Sequence, residues 1–295
     1  VTGESVVAEM AEQMIEEGLE KCIFEKDEDG SIFVDFEEED LPSTIVKRSD
    51  GSTLYLSRDV ANIRKREQEG FDQNLYVVAT EQDLHFQQLF NIAERFGITD
   101  IESEHVSYGM LHLEEGSMSS SKGNIIKLSD VLDKAVEKAE EIEDRDIGNA
   151  EAVGIGAVKY ANLSVSRQKD IEFDWEDVLT FEGDSGPYLQ YSNTRAKSIL
   201  RKTEKDGEFR GEFEEEEYRL LKKLGEFPEK VERAADEREP AKIANYLSTL
   251  CEEFNSFYHS CPVIDAEEET EKRRVKLVEM FVEVTDQGLE LLGIE

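Results

Sequence analysis

The sequence predicts an α/β region that gives way to an all-α region. Three observations carry this expectation. A continuous apolar run, Leu75 to Ala79 (LYVVA), fits a strand covered on both faces of a parallel sheet. A helical pattern over Gln82 to Phe96 and a strand-like His105 to Tyr108 continue the strand–helix–strand rhythm of a doubly wound sheet. After Asn124 the strand signals largely stop and helical periodicity takes over.

Taken in order, Ser5 to Leu19 begins as a helix, with Val6, Met10 and Met14 at helical spacing. Ile32 to Phe36 alternates like a strand and follows a D-E-D-G turn. Asp27, Asp29 and Gly30 faintly resemble a calcium loop, but Phe36 stands where that loop needs its bidentate glutamate, so a hairpin turn is expected. Thr44 to Val46 and Thr53 to Leu56 flank another tight turn, S-D-G-S, and Ser57 is placed to cap a following helix. Helices are expected over Leu128 to Ile142 and Ala150 to Leu163. From Pro187 onward there is room for about four long amphipathic helices, the third opening near Pro240.

Composition bounds the function. The 295 residues exceed the usual single-domain size of about 100–200, so two domains are the default. No stretch approaches the roughly 20 apolar residues of a membrane span, and the acidic N-terminus does not look like a signal peptide. Cys22, Cys251 and Cys261 are odd in number and lack C-x-x-C spacing, which argues against a disulfide framework and fits a cytoplasmic setting. Asp and Glu number 70 against 34 Lys and Arg, a net charge of −36. That excess repels phosphate in dilute salt, so either the protein has no anionic partner or it works where salt removes the penalty. It is spread over Glu37 to Asp40, Glu140 to Asp144, Glu214 to Glu217 and Glu267 to Glu271, a dispersed acidic surface of the kind that suits a halophile, because molar salt shortens the Debye length to about 3 Å.

The loop Glu114 to Asn124 (EEGSMSSSKGN) combines small residues, hydroxyls and one lysine. Glycines let backbone approach an anion, hydroxyls donate, and Lys122 supplies charge. A P-loop is excluded, since Gly123 follows Lys122 rather than preceding it; a plain Ser-rich surface loop remains the alternative from composition. Tyr55 and Asp59 stand four apart at the turn from strand to helix. From the residues alone the better reading is a core aromatic and a first-turn acid favoured by the helix dipole. Pro187 to Lys205 carries Arg195, Lys197, Arg201, Lys202 and Lys205 against Glu204 alone, a net +4, which suits a phosphate footprint.

Several of these segments resemble one family. MSSSKGN is similar to the KMSKS signature of class I aminoacyl-tRNA synthetases in the degenerate form of arginyl enzymes: Met118 and Ser119 match, Ser117 and Ser120 replace both lysines, and Lys122 is the remaining cation. SDGSTLYLSRDVA resembles the arginyl segment DGTxxYxTRDIA, and YVVATEQDLHFQQLF its next block. FEGDSGPYLQYSNTRAKSILRK is similar to the pattern GNTGPYLQYAxAR, departing mainly at Asp184, Ser185, Asn193 and Thr194. The stretch EPAKIANYLSTLCEEFNSFYHSCPVI resembles the helical anticodon-binding domain.

The resemblance implies an arginyl-tRNA synthetase: the C-terminal part of a class I Rossmann-like catalytic domain over 1–128, a helical connector over 129–182 and an α-helical anticodon-binding domain over 183–295. It implies that Tyr55, Asp59 and Gln82 bind arginine, with His85 read as a packing residue. Lys122, Ser119 and Ser121 would act in catalysis, and Gly109, Met110, Met118, Ser120 and Gly123 would border ATP. Arg195, Lys197, Arg201, Lys202, Tyr188 and Gln190 would bind tRNA, with at least one of Tyr188 and Tyr191 expected in the core. Asn255, Phe257 and Tyr258 would lie near the anticodon, or form core at helical spacing. ATP with Mg2+ enters as a substrate, no tightly bound cofactor or metal site is expected, and the partners are tRNA-Arg and L-arginine, with the protein a monomer. A histidine-rich HIGH-like motif does not occur in these residues, so the expectation is either the C-terminal portion of a longer enzyme, inactive by itself, or a non-catalytic tRNA-binding paralogue. A cysteinyl-type enzyme is disfavoured by the missing zinc-ligand cysteines.

Overall fold

The computed structural model describes residues 4–113, 127–142 and 149–295. The chain divides into two units, Val1–Tyr108 and Gly109–Glu295.

In the first unit, helix α1 (Glu4–Glu20) packs on α2 (Tyr55–Gln68), and α2 on α3 (Asp83–Arg95). Val7, Ala11, Met14 and Ile15 of α1 meet Val60 and Ile63 of α2 and Leu89 and Ile92 of α3 in one buried core. Strands β1 (Glu25–Lys26), β2 (Ile32–Val34) and β3 (Thr44–Lys47) form an antiparallel sheet. The D-E-D-G turn closes its first hairpin with Gly30 at φ 91°, a value that only glycine adopts without strain. The expected strand Thr53 to Leu56 shrinks to one bridge between Thr53 and Lys47, and α2 starts two residues before Ser57. Ser57 is therefore not a cap; its hydroxyl donates back to the Leu54 carbonyl at 2.8 Å.

Strands β4 (Gln73–Ala79) and β5 (Glu102–Tyr108) pair in parallel through α3, as the strand–helix–strand rhythm predicts. The expectation of cover on both faces fails, because Leu75 and Val77 are exposed. Among the described residues this sheet has two strands only, and the α3 side of it holds the packed aromatics: Phe86 stacks on His105 at 4.1 Å between centroids.

The second unit opens with β6 (Leu111–Leu113), which pairs in parallel with β7 (Ile171–Phe173). Between them lie α4 (Leu128–Glu140) and α5 (Ala150–Leu163), and after them the short α6 (Trp175–Val178). Gly154 lies so close to α4 that an added Cβ would stand 2.7 Å from the Ala135 backbone. The bundle has five helices where about four were expected: α7 (Gly186–Leu200), α8 (Glu215–Leu224), α9 (Phe227–Asp236), α10 (Ala241–Ser260) and α11 (Glu268–Leu291). The extra helix arises where Gly225 and Pro228 split one apolar stretch into two ten-residue helices. Phe254 of α10 and Phe281 of α11 stack at 3.9 Å and 11° in the core.

Two acids from the presumed surface clusters are buried. Glu217 is fully buried and accepts from Arg273 Nε at 2.8 Å and Arg274 Nε at 2.6 Å. Glu271 is 6% exposed and accepts from Lys205 at 2.7 Å. Glu217 also closes a capping box at the start of α8 with Glu214. Glu214, Glu217 and Cys261 converge within 4.8 Å, but both arginines occupy the Glu217 oxygens and burial pushes the Cys261 thiol up to about 11. These groups form an ion-pair lock between α8 and α11. Among the described residues, no helix is long and apolar enough to cross a membrane.

Candidate substrate pocket and RNA face

Helix α2 begins at Tyr55, so Tyr55 and Asp59 stand one turn apart on the same helical face. Tyr55 is 69% exposed, which removes the core reading of its ring. His85 Nε2 lies 2.9 Å from Asp59 Oδ2. Among the described residues Asp59 Oδ1 has no hydrogen-bond partner, so one oxygen is fixed and the other is available. The His85 ring is itself held edge-on against Phe86 at 5.3 Å.

Gln82 ends a short 3-10 turn and is the residue before α3. It is exposed, three residues ahead of His85, so the Asp59–His85 contact brings the start of α3 beside the start of α2. Tyr76 on β4 completes the neighbourhood. Burial pushes its hydroxyl up to about 12, Arg66 opposes this, and the Asp59 carboxylate adds to the push. Arg66 itself is committed to Asn74 and to the Tyr76 hydroxyl at 3.2 and 3.3 Å. Together these residues make a half-buried carboxylate with a phenol one turn before it and an amide side chain at the facing helix start. That set can take a planar cation with several N–H donors.

The sequence alone does not reveal the role of His85. It lies 26 positions from Asp59, and only the packing of α3 on α2 brings the two together.

Gly109 and Met110 lie in the second unit. A Cβ at Gly109 would sit 2.3 Å from the Lys169 carbonyl oxygen, so close backbone approach requires the glycine. Met110 donates its N–H to Asp170 Oδ1 at 2.7 Å. Met118, Ser119, Ser120, Ser121, Lys122 and Gly123 lie outside the described residues.

Ser185 caps α7, its hydroxyl accepting from Tyr188 N–H at 3.2 Å. Arg195 is sandwiched between Tyr191 and Tyr258, at 4.7 and 5.1 Å from their centroids, and donates to Asn255 Oδ1 at 2.7 Å. Asn255 in turn donates to the Tyr188 hydroxyl at 2.8 Å. Tyr188 is half-buried and Phe257 fully buried, whereas Tyr191 and Tyr258 remain exposed at 38% and 39%. Lys197 pairs with Asp286 at 2.7 Å, and Gln190 donates to the Ala152 and Glu295 carbonyls.

Arg201, Lys202 and Lys205 lie beyond the end of α7 rather than on it. Lys205 is taken by Glu271, while Arg201 and Lys202 are exposed without an ion-pair partner among the described residues. Among the described residues the expected basic stripe therefore reduces to Arg201 and Lys202 as cations without an ion-pair partner, while Arg195 is held in an aromatic–guanidinium stack.

Comparison with known proteins gives this geometry a family. Residues 1–175 match the family model for tRNA synthetases class I (R), catalytic domain, and residues 189–295 match the DALR anticodon binding domain. The chain belongs to the class I arginyl-tRNA synthetase family. An arginine–tRNA ligase of Halothermothrix orenii is 38% identical over 99% of this chain and 54% of its own length. One from Halobacterium salinarum is 40% identical over 88% of this chain and 43% of its own. The chain thus spans about half the length of the curated relatives it matches. Thermus thermophilus arginyl-tRNA synthetase superposes with a TM-score of 0.81 at 24% identity, over 98% of this chain and 58% of that one. The Plasmodium falciparum enzyme gives 0.83 at 23%, over 100% and 53%. At those identities the likeness is one of fold. In synthetase terms, the catalytic-domain match contains Tyr55, Asp59 and Gln82, and the anticodon-domain match contains Tyr191, Arg195 and Tyr258.

Proposed function

We propose that this chain carries the arginine-selecting and tRNA-binding parts of an arginine–tRNA ligase, which activates L-arginine with ATP and Mg2+ and transfers it to tRNA-Arg in the cytoplasm, as a monomer. The observation that carries the reading is Asp59: one oxygen fixed by His85, one open, one turn from the exposed Tyr55 hydroxyl. The open oxygen takes the substrate guanidinium in its plane, Tyr55 borders it, and Gln82 reaches it from the facing helix start.

The amino-acid carboxylate then attacks the α-phosphate of ATP, giving arginyl-adenylate and pyrophosphate, and the terminal ribose of tRNA takes the arginyl group from the adenylate with release of AMP. Both steps rest on positioning and charge stabilisation rather than on covalent chemistry by side chains. Gly109 and Met110 border the nucleotide in this proposal, and the 114–124 loop, with Lys122, Ser119 and Ser121, stabilises the leaving pyrophosphate. The tRNA lies on the α7–α10 face, where Tyr191 and Tyr258 offer rings to bases and Arg201 and Lys202 offer charge to phosphates. Tyr188 supports that face through Asn255, whereas Gln190 and Lys197 turn to α5, α11 and the C-terminal carbonyl. The three-part division at 128 and 182 belongs to the same proposal.

The test is substrate choice by an enzyme containing this chain. Arginine is expected to drive pyrophosphate exchange, and citrulline, which has the same shape with a neutral head, is expected to fail because it leaves Asp59 unpaired. Equal use of both would remove the assignment. Tight tRNA binding with no arginine-dependent exchange would favour a non-catalytic tRNA-binding module instead.

A further inference from the structure

In a chain whose acids outnumber its bases two to one, one cavity inverts the balance. It measures about 780 Å3 and lies between the segment after α5 and helices α8, α9 and α10. Five cations line it, Lys169, Lys223, Lys230, Arg233 and Lys242, against Glu237 and Glu239. Both acids are already engaged. Glu237 accepts from Lys242 at 2.8 Å and faces Arg233 at 3.5 Å. Glu239 accepts from the Ser166 hydroxyl and the Arg167 N–H at 3.2 and 3.1 Å. Lys169 and Lys230 have no ion-pair partner among the described residues.

The wall carrying Lys169 is firmly placed. Gly109 N–H donates to the Arg167 carbonyl at 2.7 Å, Met110 N–H to Asp170 at 2.7 Å, and Asn245 of α10 to the Ser164 carbonyl at 3.2 Å. The hydroxyls of Ser164 and Thr249 add neutral hydrogen-bonding groups to the lining. Cations with hydroxyls between them, and no neighbouring acid left unengaged, are the chemistry of phosphodiester recognition.

 No acid in this lining is left without a cation or an N–H or hydroxyl donor beside it.

We propose that this cavity is a second RNA-contact site, one that seats the phosphate backbone of a folded tRNA separately from the base-stacking face of α7 and α10. The inference rests on the tRNA-binding reading above and adds to it a place and a mode: Lys169 and Lys230 neutralise phosphates, and the hydroxyls bridge between them. Such contacts hold the RNA without reading its sequence.

The test is a fluorescence titration of labelled tRNA-Arg against the full chain across a KCl series, beside a thermal melt of each protein. Lys169→Ala with Lys230→Ala is expected to weaken binding about tenfold and to reduce the slope of log affinity against log salt by about 2, near one unit per lost phosphate contact. Lys26→Ala with Arg48→Ala changes net charge equally at two exposed sites outside the cavity and is expected to leave both quantities unchanged. Tyr191→Ala with Tyr258→Ala reports on the stacking face alone. If the cavity variant binds like the parent while the tyrosine variant loses affinity, the cavity inference falls and the tRNA reading stands. If the Lys169/Lys230 and Lys26/Arg48 variants weaken binding equally, the effect is bulk charge and the inference again falls. If the parent chain binds no tRNA at any salt, both readings fall together.

Discussion

At Asp59, one carboxylate oxygen is held by His85 at 2.9 Å, and the imidazole is set by its edge-on contact with Phe86. Removing His85 leaves the carboxylate free to rotate. His85→Ala in an enzyme containing this chain should therefore raise the arginine KM about tenfold or more, the worth of a charge-assisted hydrogen bond of about 1.5–3 kcal/mol. Arginine saturation kinetics would check this, and an unchanged KM would return His85 to a packing role. The pocket was partly legible in the sequence. Tyr55 and Asp59 are four apart, a spacing that a helix turns into one face. His85 was not legible, because its partner comes from another helix. Arg195 shows the same limit: its positive charge reads as a phosphate contact, yet Tyr258 and Asn255 of α10 enclose it.

At the scale of elements, α8 and α11 are joined through Glu217, Arg273 and Arg274. Burial would raise the Glu217 carboxyl, but hydrogen bonds from the two arginines outweigh it and hold the group below its ordinary 4.5. A depressed folded value means that this pair stabilises the fold above the unfolded value and that its contribution is lost as pH falls through the folded one. Unfolding followed by urea should show stability falling below about pH 4.5. Glu217→Ala should lose about 3–5 kcal/mol at pH 7, since it strands two buried guanidiniums, and should flatten the acid limb. An acid profile identical to that of the parent would contradict this account. Helix positions were well predicted by apolar spacing, down to Ala150 to Leu163 for α5. What spacing could not show was which charges are interior. Glu217 and Glu271 sit in runs of acids that read as solvated surface, and only the arrival of α11 and Lys205 buries and pairs them.

Across the whole molecule, a net charge of −36 makes folding depend on screening. Thermal melts across KCl should rise toward molar salt, where the Debye length is about 3 Å, and a protein most stable in low salt would end the halophile reading. Substrate binding, by contrast, should depend on a short-range pair that salt screens weakly. Asp59→Asn tests that claim most directly, in an enzyme containing this chain, by arginine-dependent pyrophosphate exchange at saturating ATP. The neutral amide cannot replace the carboxylate opposite a guanidinium, so the loss should be about 1.5–3 kcal/mol, the worth of a charge-assisted hydrogen bond, and should fall on the KM for arginine. An arginine KM unchanged by Asp59→Asn would contradict the assignment of this pocket.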